Sequence, residues 1–206
     1  MKLYDISMEI SNDMTVYKNR KEKSPKIELT RALKEGANES KLDIHLHTGS
    51  HVDAPYHILQ SGKTIDELSL DKFMGNAAVI DFTKLKKCIT GKDFESLKIK
   101  ISKGDIVLLK TKNNPRKDFD SNFVYLEKSG AKYLISKKIK AVGIDSLGIE
   151  RSQPNHETHS ILLGKYIPIF EGLDLSKVKQ GRYFFYGFPL KIRKGDASPI
   201  RAVLST

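Results

Sequence analysis

The histidines of this 206-residue chain are not scattered. All six fall in two short windows, His45, His47, His51 and His57 in the first and His156 and His159 in the second. Imidazole nitrogens bind zinc and other borderline divalent metals, and imidazoles also transfer protons near neutral pH. The clustering therefore indicates a metal site or an acid–base site.

The first window combines histidines with a carboxylate. In 42–47 apolar and polar residues alternate, which predicts a strand whose apolar face meets the core and whose polar face ends in His47. Residues 48–50 permit a turn, after which His51 and Asp53 can face one point together. A carboxylate can bridge two metal ions, so Asp53 is the candidate bridge.

The role of His57 is left open by its spacing. Pro55 biases the preceding residue toward extended geometry and stiffens the segment that delivers His57. His57 could bind a metal or move protons beside one. His47 and His51 are four residues apart, as on a zincin helix, but the glutamate that such a helix requires is absent. Gly49 and Pro55 also disfavour a helix, so we reject the metalloprotease interpretation.

The second window offers further candidate ligands. His156 and His159 lie three apart on a predicted helix and could share a face. Glu171 follows a strand-like segment and offers a second carboxylate, while Glu157 competes with it. The residues alone leave this choice open, and the alternative for each is a role on the protein surface.

The elements that must position these residues are short. Strands are predicted at 26–30, 42–47, 77–82, 106–110, 141–145, 166–170 and 183–186. Helices are predicted after Thr90 and Asp93, after a capping Ser129, and from about Asn155 to Gly164. This pattern predicts a mixed α/β or α+β fold, and no linker divides residues 1–206, so we expect a single domain.

Composition restricts the class of protein. Hydrophobic residues make up 39% and charged residues 30%, which excludes disordered and fibrous classes. No run approaches the roughly 20 apolar residues that a membrane span needs, and no secretion signal is recognisable. Cys88 is the only cysteine, which excludes an internal disulfide and a cysteine-based zinc cage. We expect a cytoplasmic protein.

The net charge is +11, from 36 Lys and Arg against 25 Asp and Glu. Such a balance can mark a nucleic-acid partner. The lysines are dispersed, however, and arginine, which recognises bases and phosphates through paired hydrogen bonds, is comparatively sparse. We therefore interpret the charge as solvated lysine faces and keep nucleic-acid binding as a minor alternative.

The first window resembles a known signature. HTGSHVDAPYH at 47–57 is similar to the HxGTHxDxPxH pattern of the cyclase-like metal hydrolases, which include bacterial kynurenine formamidase (arylformamidase) and isatin hydrolase. Six of its seven fixed positions match, and Ser50 replaces the usual Thr but keeps the hydroxyl. The resemblance extends to VGIDSLGIE at 142–150, to His159 and Glu171, and to PLKIRKGDASPIRAV at 189–203, so it covers most of the chain.

The resemblance implies a swivelling β/β/α fold, homo-oligomers, and one or two zinc or manganese ions per chain. By match to the family pattern, one metal is held by His47, His51 and Asp53 and a second by Asp53, His159 and Glu171. His57 becomes the proton donor and acceptor, and Tyr17 supplies the aromatic that lines the substrate pocket, although its segment lacks the family's TPVWPGD-like pattern. His156 and Glu157 become outer or surface residues.

The expected function is hydrolysis of a small amide by metal-activated water, with N-formylkynurenine as the first candidate substrate. No nucleophilic serine or cysteine is required, and Ser50 and Cys88 are expected to be structural. Two alternatives within the class are a cyclic amide such as isatin and a lactone. Two alternatives outside it are a nucleic-acid-binding module and a metal-binding protein without catalysis.

Overall fold

The computed structural model describes residues 1–113, 118–151 and 153–206. These residues form thirteen strands and three α-helices. The strands are β1 (Leu3–Asp5), β2 (Lys26–Arg31), β3 (Glu39–Asp43), β4 (His51–Asp53), β5 (Met74–Asp81), β6 (Cys88–Ile89), β7 (Ile106–Lys110), β8 (Tyr125–Leu126), β9 (Ala141–Ile144), β10 (Ile169–Glu171), β11 (Gly181–Tyr186), β12 (Ala197–Pro199) and β13 (Val203–Ser205). The helices are α1 (Gly91–Glu95), α2 (Lys128–Ser136) and α3 (Glu157–Leu163). The predicted mixed α/β class is confirmed.

Nine strands form one curled half-barrel sheet in the order β1-β13-β11-β5-β7-β9-β10-β4-β12. The central strands β5, β7, β9 and β10 are parallel, and all other neighbours in this sheet are antiparallel. Strands β2 and β3 form a separate hairpin, and β6 pairs with β8. The sheet therefore places β4 and β10 side by side near one of its edges.

The sheet has a hydrophobic core on each face. Along β7, Ile106 and Leu108 pack into one core, whereas Val107 and Leu109 pack into the other. The three helices contribute to the second core. Parallel strands that are covered on both faces appear in a sequence as continuous apolar runs, which is why 106–110 is recognisable. Each such side chain stabilises the fold by about 1.5–3 kcal/mol through burial.

Five predicted strands, at 26–30, 77–82, 106–110, 141–145 and 183–186, are confirmed with their ends within three residues. The three predicted helices are also present, and Thr90 and Asp93, which mark the predicted start of α1, form a capping box there. The cap of α2 was predicted wrongly as Ser129. The Glu127 carboxylate caps this helix by accepting a hydrogen bond from the Ser129 N–H, because a carboxylate satisfies a free helix donor well. In the described ranges, no helix combines the length and hydropathy needed to cross a bilayer.

Two strand predictions were wrong in part. β3 ends at Asp43, and Leu42 is 49% exposed instead of buried. The reason is that β3 pairs only with β2, in a hairpin whose residues are all exposed, so its alternation meets no core. His47 consequently lies in a turn. The strand predicted at 166–170 begins at Ile169, because Tyr166 has a φ of 55° in the turn after α3.

Candidate metal centre

Strand pairing brings the two histidine windows together. β4 lies between β10 and β12, with His51 opposite Glu171 and Asp53 opposite Ala197. Alternate residues of a strand share a face, so His51 and Asp53 point to the same side of the sheet. His159 is the third residue of helix α3, and β10 is the next strand along the chain.

A tight backbone contact holds the windows in register. Gly172 has a φ of +67°, and a Cβ there would lie 2.5 Å from the Gly49 carbonyl oxygen. The Ser50 hydroxyl donates a hydrogen bond to the Gly172 carbonyl (2.6 Å) and accepts one from the Met8 N–H (2.8 Å). Only glycine fits at position 172 without displacing the first window, and the Ser50 hydroxyl serves this packing.

Asp53 lies at the centre of the site with its two oxygens facing different histidines. Oδ1 lies 2.8 Å from His47 Nδ1 and 3.4 Å from His51 Nε2, whereas Oδ2 lies 3.6 Å from His159 Nε2. Glu171 completes this circle of donor groups around the site. Its Oε2 lies 3.4 Å from His51 Nε2, and its Oε1 lies 3.5 Å from His159 Nε2. The structure thus brings together all five residues that the family pattern assigns as ligands.

Outer contacts orient two of these imidazoles. His51 Nδ1 lies 2.9 Å from the Gly49 carbonyl oxygen, which can only accept a hydrogen bond, so Nε2 is the nitrogen directed at the carboxylates. His159 Nδ1 lies 2.9 Å from Oε1 of Glu150 as an ion-pair contact without hydrogen-bond alignment, and its Nε2 faces Asp53 and Glu171. An outer partner on the second ring nitrogen is typical of histidines that bind metals, because it sets the tautomer and the ring orientation.

The donor atoms fit a divalent metal. His51 Nε2 and both carboxylate oxygens of Asp53 are buried without a hydrogen-bond partner among the described residues. Uncompensated buried polar atoms are costly, and a cation would satisfy all three. His47, His51 and Asp53 have potential ligand atoms within 4.8 Å of one another. Imidazole nitrogens with carboxylate oxygens suit zinc, manganese or ferrous iron.

Opposite charges dominate the metal-free site. Burial opposes ionisation, yet the Asp53 and Asp196 carboxylates raise the pKa of His47 to about 9. Burial likewise opposes protonation of His51, but Asp53 and Glu171 raise its pKa to about 10. Burial and the Asp53 charge disfavour ionised Glu171, but His159 and His51 lower its pKa to about 2. In this cage of histidines and carboxylates, the imidazoles therefore favour their protonated form and the carboxylates their ionised form.

Metal binding should release these protons. The pKa of His47 is raised to about 9 and that of His51 to about 10, so these two imidazoles are protonated at neutral pH and must become neutral to bind a metal. The carboxylates of the cage raise the pKa of His159 in the same direction. We expect zinc binding near pH 7.5 to release protons from these imidazoles, and zinc affinity to rise with pH until about pH 9–10. Calorimetry in buffers of different ionisation enthalpy measures this release. Binding with no net proton release would place the metal elsewhere.

His57 lies at the rim of the cage, at the end of the 3₁₀ turn Pro55–His57. A Cβ at Gly62 would lie 2.5 Å from the Pro55 carbonyl carbon, so close backbone packing fixes this turn. The His57 ring centroid is 4.2 Å from that of His47 and 5.7 Å from that of His159. Burial and these two neighbours lower the pKa of His57, against the attraction of Asp53. A neutral imidazole at this rim can accept a proton.

Tyr17 lies in the 3₁₀ turn Tyr17–Asn19 and packs in an aromatic cluster. Its ring centroid is 4.9 Å from that of Phe119, which lies 5.8 Å from that of Phe123. A Cβ at Gly148 would lie 3.3 Å from Tyr17 and 3.6 Å from Phe123. The next residue, Ile149, donates its N–H to Glu171 Oε1 at 2.5 Å. The aromatic cluster therefore borders the loop that holds Glu171, and substrate binding by Tyr17 stays a prediction.

The structure separates the two competing glutamates. Glu157 is exposed at the start of α3 and forms an ion pair with Lys128 at 3.2 Å, whereas Glu171 faces the histidines. His156 precedes α3 and contacts Glu150 at 3.0 Å. The partners of Glu157 and His156 in the described part of the chain thus lie outside the carboxylates of the cage, as the family pattern implied.

Sequence reasoning missed two residues, Glu150 and Asp196. Glu150 contacts both histidines of the second window, and Asp196 Oδ2 lies 2.8 Å from His47 Nε2. Both occur in segments that resemble the family, VGIDSLGIE and PLKIRKGDASPIRAV. This similarity to the family was the one indication that the two acids matter. A single acidic residue in a loop gives no spacing from which its partner could be predicted.

Comparisons with known proteins assign the family. Residues 4–151 match the family model Cyclase, described as "Putative cyclase". Cyclase-like protein 3 of Oryza sativa is 37% identical over 82% of this chain and 66% of its own length. Kynurenine formamidase of Salinibacter ruber is 31% identical over 99% of this chain and 97% of its own. A solved structure described as a "Potential Metal-Dependent Hydrolase With Cyclase Activity" is 40% identical, with a TM-score of 0.89 over 98% of this chain and 96% of its own. The chain belongs to the cyclase family.

Proposed function

We propose that this protein is a metal-dependent hydrolase of small amides, and that N-formylkynurenine is the first candidate for its substrate. The observation that carries the proposal is the arrangement around Asp53, whose two oxygens face separate histidines within a buried ring of nitrogen and oxygen donors. Such a carboxylate is suited to bridge two metal ions. A solved structure 40% identical to this chain, described as a potential metal-dependent hydrolase with cyclase activity, supports the same proposal.

The reaction is hydrolysis of a formyl amide. A bound divalent metal lowers the pKa of water and polarises a carbonyl group. His57, at the partly exposed rim, accepts a proton from the attacking water and donates it to the leaving nitrogen. Water adds to the formyl carbon, the carbon–nitrogen bond breaks, and the products are formate and an aromatic amine. The metal ions would be held by His47, His51, Asp53, His159 and Glu171.

The choice of N-formylkynurenine has two supports. One is the similarity, along nearly the whole chain, to a kynurenine formamidase. The other is the aromatic cluster of Tyr17, Phe119 and Phe123 beside the loop that holds Glu171, because a planar aromatic substrate can pack on such rings. A cyclic amide such as isatin, or a lactone, presents the same carbonyl and a similar ring, and is the second candidate.

A substrate panel tests the proposal. N-formylkynurenine, isatin and an aromatic lactone are offered to protein that was stripped with chelator and loaded separately with Zn²⁺ or Mn²⁺. We expect turnover of N-formylkynurenine only with metal, and a rate lower by about 10²-fold or more with the His57→Ala protein prepared identically, which controls for contaminating enzymes and free metal. Turnover of isatin alone would transfer the proposal to cyclic amides. Tight metal binding without turnover of any substrate would contradict hydrolase function.

Three features stay predictions from the sequence and its resemblance. They are a homo-oligomeric state, a location in the cytoplasm, and description of the fold as swivelling β/β/α. Two metal ions per chain follow from the proposed bridge and are measured with the variants discussed below.

A further inference from the structure

We propose that Asp196 is the positioning residue of His57, and that its carboxylate holds the imidazole with Nδ1 protonated and Nε2 free for proton transfer. This inference rests on the proposed function, since it gives His57 the proton-transfer role. It concerns a residue outside the set of ligands and acid–base groups that the family resemblance supplied.

The contact geometry carries the proposal. Asp196 Oδ2 lies 2.8 Å from His47 Nε2 and 3.5 Å from His57 Nδ1, so one oxygen faces both imidazoles. The longer distance exceeds an ordinary hydrogen bond, but catalytic hydrogen bonds are commonly long in substrate-free structures and shorten in the complex. A carboxylate can only accept, so it favours the tautomer with a proton on Nδ1.

Backbone hydrogen bonds fix the position of Asp196 relative to His57. Ala197 pairs with Asp53 across β12 and β4, and the Ala54 N–H donates to the Asp196 carbonyl at 2.9 Å. The His57 N–H donates in turn to the Ala54 carbonyl at 2.9 Å. Ala54 is therefore hydrogen-bonded through its backbone to both Asp196 and His57. These two bonds fix the position of one residue relative to the other.

Solvent exposure distinguishes the group of His47, His57 and Asp196 from the buried ligands. The side chains of His47, His57 and Asp196 are 27–39% exposed, whereas those of His51, Asp53, His159 and Glu171 are at most 9% exposed. Substrate and protons must arrive from solvent, so they meet the exposed group first. A carboxylate placed here can orient the proton-transfer imidazole without occupying the buried donor positions.

The test measures the His57 tautomer in full-length, zinc-loaded protein. Ring-nitrogen shifts from long-range ¹⁵N–¹H spectra are assigned by comparison with His57→Ala. We expect His57 to be Nδ1-protonated in the wild type and a mixture of tautomers in Asp196→Ala, with zinc content unchanged. The measurement needs no substrate, so absence of N-formylkynurenine turnover would not decide it.

Kinetics separate an effect through His57 from an effect through His47. With saturating zinc and a substrate from the panel, Asp196→Ala should lower kcat about 10- to 100-fold with little change in KM. In a His57→Ala background the same substitution should cost less than about 3-fold, because its partner is already absent. Asp196→Asn keeps the side-chain shape and one acceptor, so it should fall between wild type and Asp196→Ala.

Asp66→Ala is the matched control. Asp66 accepts a hydrogen bond from the Lys194 N–H at 3.0 Å, so it holds the same loop, and its recorded contacts include no histidine. This variant should keep the wild-type tautomer and kcat. Three results would overturn the proposal: an unchanged His57 tautomer in Asp196→Ala, an equal loss of kcat in the His57→Ala background, or loss of zinc that marks Asp196 as a ligand.

Discussion

Replacing Asp53 with alanine should remove both metal ions and lower kcat/KM by about 10³-fold or more, since metal activation contributes several kcal/mol to catalysis. The physical reason is that Asp53 Oδ1 faces His47 and His51 while Oδ2 faces His159, so both proposed sites share this carboxylate. Metal content is measured by elemental analysis of gently purified protein. Wild type should approach two ions per chain.

His159→Ala gives the contrasting result. His159 faces only one oxygen of Asp53, so its loss should chiefly weaken the second site and leave one ion per chain. Equal retention of both metals in Asp53→Ala would show that the bridge is misplaced. A wild-type preparation that is reproducibly metal-free and active would contradict the metal mechanism itself.

Asp145→Asn is a suitable control for a buried acid, to be compared with Asp53→Asn. Asp145 accepts hydrogen bonds from the N–H and hydroxyl of Thr111, and neither bond involves a histidine of the cage. Burial raises the pKa of Asp145 to about 7, although hydrogen bonds from Thr111 favour the ionised form, so a neutral amide removes less charge here than it does at Asp53. Asp145→Asn should keep its metals, whereas Asp53→Asn should lose at least one.

Replacing His57 with alanine should leave the metal content nearly normal and lower kcat by about 10²- to 10⁴-fold. A proton-transfer group acts mainly in the transition state, so kcat and kcat/KM should fall together while KM changes little. The pH–rate profile should also lose the limb that the imidazole contributes. Steady-state kinetics and elemental analysis on the same preparation measure both quantities.

His45→Ala is the matched histidine control for His57. His45 is exposed and lies in the same window, and its ring nitrogen Nε2 faces the Glu22 carbonyl oxygen at 3.3 Å instead of the cage. It should keep both metals and full kcat. The structure also places a ligand atom of His57 within 4.8 Å of those of Asp53 and His159. If His57→Ala loses a metal and regains activity in excess metal, His57 is a ligand and another base is required.

The ligand cluster could be predicted from sequence because its chemistry is concentrated in short segments. His51 and Asp53 are two residues apart, and the period of a strand places them on one face whatever the rest of the chain does. The central strands were predictable for a similar reason, since β7 is buried on both faces and forms a continuous apolar run. Both signals are local, and local geometry suffices to interpret them.

Tertiary structure decided what depended on distant partners. The alternation of apolar and polar residues at 42–47 predicted that Leu42 is buried. Leu42 is exposed because β3 pairs only with β2, in a hairpin whose residues are all exposed. Spacing alone left Glu157 and Glu171 as competing candidates, and the family pattern favoured Glu171. The pairing of β10 with β4 is what places Glu171 opposite His51. Asp196 lies 149 residues from His47 along the chain, and only the pairing of β12 with β4 brings its carboxylate to the imidazoles. Sequence determined the donor groups by residue type and short spacing, and long-range strand register determined which of them meet.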